Sequence, residues 1–96
     1  MDLLTLEHFT PLVNDTFNAG LEGMDVPFVL VEARAIQGRG ADALRAPFSL
    51  LFRNTSAFLF PQQTYAMRHE RLGEVGIFLV PVAQERAGFL YQAIFT

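Results

Sequence analysis

Apolar side chains recur at every second residue, in short runs separated by clusters of turn-forming residues. This spacing constrains the fold more than any other feature of the chain. Val29, Val31, Ala33 and Ala35 alternate with Glu32 and Arg34. Phe48, Leu50 and Phe52 alternate with Ser49 and Arg53, and Tyr65, Met67 and His69 with Thr64, Ala66 and Arg68. Phe89, Tyr91, Ala93 and Phe95 alternate with Leu90, Gln92 and Ile94. Successive side chains of a strand point to opposite faces, so a period of two sends one set to a core and the other to water. The spacing predicts strands over residues 15–21, 28–36, 47–53, 64–69, 75–82 and 89–95. Glu22-Gly23, Asn54-Thr55-Ser56 and residues 84–88 supply turns between them.

The connections then decide the sheet. Parallel neighbours need a crossover of about a dozen residues or more. Only residues 37–46 approach that length, and their Gly38-Arg39-Gly40 start reads as a mobile loop. The expected fold is mainly β: a small antiparallel barrel or sandwich of about six strands. Residues 75–82 are apolar on both faces, as in a central strand covered on both sides. Pro81 has no N–H to donate, so pairing is expected to loosen near the end of that strand. Ahead of the strands, residues 5–12 predict a short helix with Thr5 as N-cap and Glu7 in its first turn. Leu6, Phe9 and Leu12 share a face, and Pro11 limits the element to one or two turns. Its expected job is to plug an open end of the core.

Composition narrows the function. Ninety-six residues form one domain with one core. There is no cysteine, which excludes disulfides and thiolate metal sites and fits a cytoplasmic protein. Met1-Asp2-Leu3-Leu4 carries an acid where a secretory signal needs positive charge, and no apolar run approaches the length of a membrane span. No membrane association is expected. The net charge is −3, and the arginines at 34, 39, 45, 53, 68, 71 and 86 are dispersed. A nucleic-acid partner is not expected, because phosphate binding needs clustered positive charge. Counted with glycine and without tyrosine, apolar residues make up about 56% of the chain, against about 45–50% in typical domains. Part of that excess is expected to be buried against another chain or a second copy. Phe58, Phe60, Tyr91 and Phe95 are the candidate contacts.

Arg68-His69-Glu70-Arg71 offers the most chemistry in the smallest space. It lies between two strands, and His69, Leu72 and Gly73 read as a hairpin whose reversal uses the conformational freedom of Gly73. A histidine at a solvated tip has no desolvation and no orienting partner, so nothing tunes it for proton transfer. The enzymatic alternative needs a nucleophile, and Ser49, Ser56 and Thr64 sit in no nucleophile-elbow pattern. His8 and His69 with Glu7 or Glu70 make a weak zinc set. Glu32 could face Glu74, but Arg34 is its simpler partner. Gly38-Arg39-Gly40 matches no phosphate-binding fingerprint. The aromatics interleaved with arginine, as in Phe52-Arg53, sit on the core side. No catalytic residue, metal or cofactor is expected.

LTLEHFTPLVNDTF, PFSLLFR, FPQQTYAMRHERLGEVGIFLVPV and YQAIF together resemble a small bacterial domain family of unknown function. Its pattern is a short leading helix, a phenylalanine-rich strand, a Pro-Gln-Gly-Thr-Tyr-like approach to a strand, and a His-x-x-Leu-Gly hairpin. An apolar strand ending in Pro-Val and a terminal aromatic strand follow. Gln63 stands where that pattern has glycine, and the resemblance is weakest over residues 20–46. It implies an accessory role beside phage-tail-collar-like proteins and supplies no catalytic residues. The expected function is therefore a non-enzymatic structural or protein-interaction module; the alternative is a small-ligand-binding barrel, with Phe, Met and Tyr lining its interior.

Overall fold

The computed structural model describes residues 4–36, 46–56 and 58–96. The acidic start at residues 1–3 and most of the 37–46 loop, with Gly38-Arg39-Gly40, lie outside the described residues.

The chain forms a helical turn α1 (Leu6–Phe9) and a 3-10 turn (Thr10–Leu12), then strands β1 (Thr16–Leu21), β2 (Met24–Ala35), β3 (Phe48–Asn54), β4 (Gln63–His69), β5 (Gly73–Glu85) and β6 (Gly88–Phe95). All pairs are antiparallel and the sheet closes on itself in the order β1-β2-β3-β6-β5-β4. The fold is thus a closed barrel and not a sandwich. Closure removes free sheet edges, which a short chain rich in strands would otherwise leave open to aggregation.

Each hairpin follows from its turn residues. β1 and β2 meet at Leu21 and Met24, with Glu22 at φ 48° and Gly23 at φ 82° between them. Two left-handed residues make the turn whose twist matches that of the flanking strands. β4 and β5 meet at His69 and Gly73, and Gly73 takes φ 82°. β5 and β6 meet at Glu85 and Gly88. The β1–β4 seam that closes the ring is the thinnest, registering only Asn18 against Arg68 and Ala19 against Met67.

Two bulges modify the simple alternation. In β2, Val26, Phe28 and Leu30 are buried, not Val29 and Val31 as the period-two reading had it. The register shifts between Leu30 and Glu32, which reverses the parity, and Ala33 then packs against the core. A bulge adds one residue to one strand only, so it changes which set of side chains faces inward. In β5 the register shifts between Pro81 and Ala83, where the missing N–H of Pro81 was expected to loosen pairing.

The lumen is filled by Phe17, Phe28, Phe52, Leu30, Leu50, Tyr65, Met67, Ile77, Leu79 and Tyr91, all buried. The helical segment plugs one mouth, as expected. Phe9 is fully buried, with ring centroids 6.4 Å from Phe17 and 5.8 Å from both Phe48 and Phe95. The segment following Asn54 closes the other mouth. Phe60 packs its ring 6.0 Å from Phe28, its N–H donates to the Tyr91 hydroxyl at 2.9 Å, and the Tyr65 hydroxyl donates to the Pro61 carbonyl. Burial pushes the pKa of both phenols up, which keeps Tyr65 protonated as a donor and Tyr91 a neutral acceptor.

Candidate functional site

The polar residues that come together are Asp15, His69 and Arg71. Asp15 precedes β1, and its backbone is fixed on both sides. Its N–H donates to the Leu12 carbonyl at 2.9 Å, and its carbonyl accepts from Leu30 N–H at 3.0 Å. His69 ends β4, and its side chain is 3% exposed. The imidazole packs 4.8 Å from the Phe17 ring. Closing the β1–β4 seam brings the two residues together across 54 positions of sequence.

The hydrogen bonds fix the tautomer. Nδ1 of His69 accepts from the backbone N–H of Arg71 at 3.0 Å and of Leu72 at 3.4 Å. A nitrogen facing two donors carries a lone pair, so Nε2 carries the hydrogen and donates to Asp15 Oδ2 at 2.9 Å. Arg71 reaches the same oxygen at 3.3 Å. The expectation of a solvated, unoriented histidine is therefore corrected: His69 is buried and oriented at both nitrogens. The physical reason is that β4 continues through His69 with its side chain facing inward, in step with Tyr65 and Met67.

An Asp–His pair resembles half of a catalytic triad, but its chemistry differs. In a general base the second nitrogen faces substrate. Here it holds the reversal of the β4–β5 hairpin, and no lone pair remains for a reaction. Ser49, Ser56 and Thr64 do not line the open groove of about 370 Å³ formed by Asp15, Thr16, Asn18, Arg68, His69, Glu70 and Arg71. His8 plays the same part at the other histidine position. Its Nδ1 accepts the Thr5 N–H at 2.9 Å, standing where a capping box carries glutamate or glutamine. No group of three metal-ligating side chains occurs among the described residues. Glu32 pairs with Arg34, and β2 and β5 are not neighbours, so Glu32 and Glu74 do not face each other across a ladder.

Asp15 titrates below the ordinary aspartate value. The hydrogen bond from His69 is the main cause; partial desolvation opposes it, and the charge of His69 and the contact from Arg71 act in the lowering direction. A carboxylate whose folded pKa is depressed stabilises the fold above its unfolded pKa of about 3.9 and loses that contribution as pH falls through the folded value. Asp15→Asn is therefore expected to lower the thermal midpoint at pH 7. The gap to wild type should close well below pH ~4, where both side chains are neutral. Melts at pH 7 and in strong acid check this; an equal gap at both would show that Asp15 acts only through its shape.

Of the candidate contact residues, Tyr91 is completely buried and its hydroxyl is engaged, so it cannot meet a partner. Phe95 stacks on Phe48 at 4.6 Å with ring planes 4° apart and packs against the core, as does Phe60. Phe58 is exposed and meets Phe60 edge-on at 4.9 Å. His69, Leu72 and Gly73 do form the hairpin reversal. Sequence reasoning missed the outer wall of the barrel. Phe78, Val82 and Ile94 are 50%, 48% and 53% exposed on the neighbouring strands β5 and β6. The strand read as covered on both faces is covered only on its inner one, through Ile77 and Leu79. The signal was present as the doubly apolar run over residues 75–82.

A family model described as Domain of unknown function (DUF6916) matches residues 4–95. The chain belongs to this family. The match takes in the helical plug, all six strands and the Asp15–His69 pair, so the DUF6916 domain and the barrel coincide. No curated protein and no solved structure matches the chain.

Proposed function

We propose that this domain is a non-catalytic protein-interaction module that presents the outer face of β5 and β6 to a protein partner. The observation carrying the proposal is the group formed by Phe78, Val82 and Ile94. Each is about half exposed, and Val80 and Leu90 lie partly exposed on the same outward face. Single exposed apolar residues need no explanation, but several on adjoining strands mark a contact surface. Covering the exposed half of each large side chain is worth about 1 kcal/mol, so the three together would change an affinity by roughly a hundredfold.

The charges favour a protein partner over nucleic acid. Arg34, Arg53, Arg68 and Arg71 are each paired with a carboxylate of this chain. Phosphate binding would have to break those pairs. Among the described residues, no helix is long and apolar enough to cross a membrane. A partner in a phage-tail-like assembly is proposed on the gene association that the family resemblance implies, and a cytoplasmic location on the cysteine-free composition.

The test compares the wild-type domain with Phe78→Asn/Ile94→Asn, both tagged, in capture from cells of the native host and in light scattering over a concentration series. The double variant should melt near the wild-type temperature and lose at least tenfold in capture or self-association. Identical behaviour of the two proteins, with wild type strictly monomeric, would remove the basis of the reading.

A further inference from the structure

The β4–β5 hairpin is held at its tip by a lone pair that a proton can occupy. The reversal at residues 70–72 relies on the His69 Nδ1 acceptor, which binds the N–H groups of Arg71 and Leu72 at 3.0 and 3.4 Å. The side chain is 3% exposed, and both donors to that nitrogen come from the backbone of the turn. A proton placed on Nδ1 would point at two other donors, and all three would lack an acceptor. We propose that His69 is an acid-sensitive latch: protonation of its imidazole releases the hairpin tip at residues 70–72 while the β1–β4 seam stays closed.

The surroundings make the release local. At the Nε2 end, Asp15 approaches from the start of β1, and its carboxylate 2.9 Å away accepts from Nε2–H whether or not Nδ1 carries a proton. The Phe17 ring packs against the imidazole from β1, 4.8 Å between centroids. Arg71, from the turn itself, reaches the same carboxylate oxygen at 3.3 Å. Arg68 on β4 is turned to Asp25 on β2 at 2.5 Å, and Glu70 lines the outer groove. Protonation at Nδ1 therefore leaves the link from β4 to the start of β1 in place and breaks the link from the ring to its own turn. Leu72, which packs against the core from that turn, is the side chain that release uncovers. The groove that Glu70 and Arg71 of the turn line together with Asp15, Thr16 and Asn18 widens with it. A short turn anchored by two side-chain-to-backbone bonds is the kind of unit that opens without global unfolding.

Nitrogen-15 NMR of the whole domain tests the proposal. Imidazole shifts report the tautomer and its titration, and amide hydrogen exchange, corrected for its intrinsic pH dependence, reports each backbone group. The expected result is the Nε2–H tautomer at neutral pH. As the ring takes its second proton, protection at Arg71 and Leu72 should fall by roughly tenfold, the loss of about one hydrogen bond. Protection at Ala19 and Met67 on the seam should hold through the same step. His69→Asn gives a second arm, because its side-chain oxygen can accept from turn N–H groups and does not titrate; its turn protection should be independent of pH over that range. Turn amides that stay protected while the ring protonates would overturn the proposal. So would seam and turn amides lost together, or an Asn variant with the wild-type pH dependence.

Discussion

Gly88→Ala is expected to cost about 3–5 kcal/mol, a large part of the roughly 5–15 kcal/mol that holds a domain of this size together. Gly88 opens β6 directly after the two-residue turn from β5, at φ 143°, a backbone conformation that L side chains rarely adopt. A methyl group there would lie 2.1 Å from the Asn54 carbonyl oxygen and 2.7 Å from the Thr55 Cα. Both are backbone atoms, so no rotamer change relieves the overlap, and the end of β3 must move away from β6. Asn54 cannot move freely. Its side-chain amide donates to the Pro27 carbonyl at 2.7 Å and its side-chain oxygen accepts from Ser56 N–H at 2.9 Å, so one buried residue ties three segments together. Gly20 is the control. It has ordinary backbone angles and nothing within 4 Å of an added Cβ, and alanine there should be neutral or stabilising by about 0.5 kcal/mol. Urea unfolding of the two variants against wild type checks both values. Equal midpoints for Gly88→Ala and wild type would show that the β3–β6 contact is not as tight as the structure has it.

Phe28→Ala should cost a similar amount, about 3–5 kcal/mol, for a different reason. Phe28 is fully buried, with Tyr91 at 5.3 Å, Tyr65 at 5.7 Å and Phe60 at 6.0 Å between ring centroids. It is the common neighbour of two lumen tyrosines and of the ring that closes the mouth. The barrel wall is a closed ladder and cannot collapse inward to fill the space, so the cavity remains. The loss should also show locally. With Phe60 unseated, the segment around Phe58 and Leu59 should become a site of proteolytic cleavage under conditions where wild type resists. Phe28→Leu, which keeps most of the volume, should cost roughly half as much and leave the segment protected. A protease pattern unchanged in Phe28→Ala would mean that the hydrogen bond from Phe60 N–H to Tyr91, not ring packing, holds the mouth shut.

Much of the architecture was legible because local signals and the final structure agree. Glu22-Gly23 and Gly73 stand where the backbone needs left-handed angles. Phe9 and Leu12 share the face of the helical turns that enters the barrel. Phe48, Leu50 and Phe52 alternate without interruption, and all three are buried. The reading failed at β2, where one bulged residue exchanged Val29 and Val31 for Phe28 and Leu30 as the inward set. It failed for Tyr91, an interface candidate that proved to lie in the lumen. It also failed for His69, where a charged stretch of sequence hid an inward-facing position at the end of a strand.

The sequence by itself determined that the chain would form short antiparallel strands around an aromatic core, because a period of two and the turn residues act over a few neighbouring positions. Only the tertiary structure decided which strands adjoin, that the sheet closes by joining β1 to β4, and that Asp15 meets His69 as a result. It also decided that Phe78, Val82 and Ile94 face outward on adjoining strands. Side-chain spacing states that two faces exist but not what lies beyond them. A contact across 54 residues exists only once ring closure has fixed both of its ends in space.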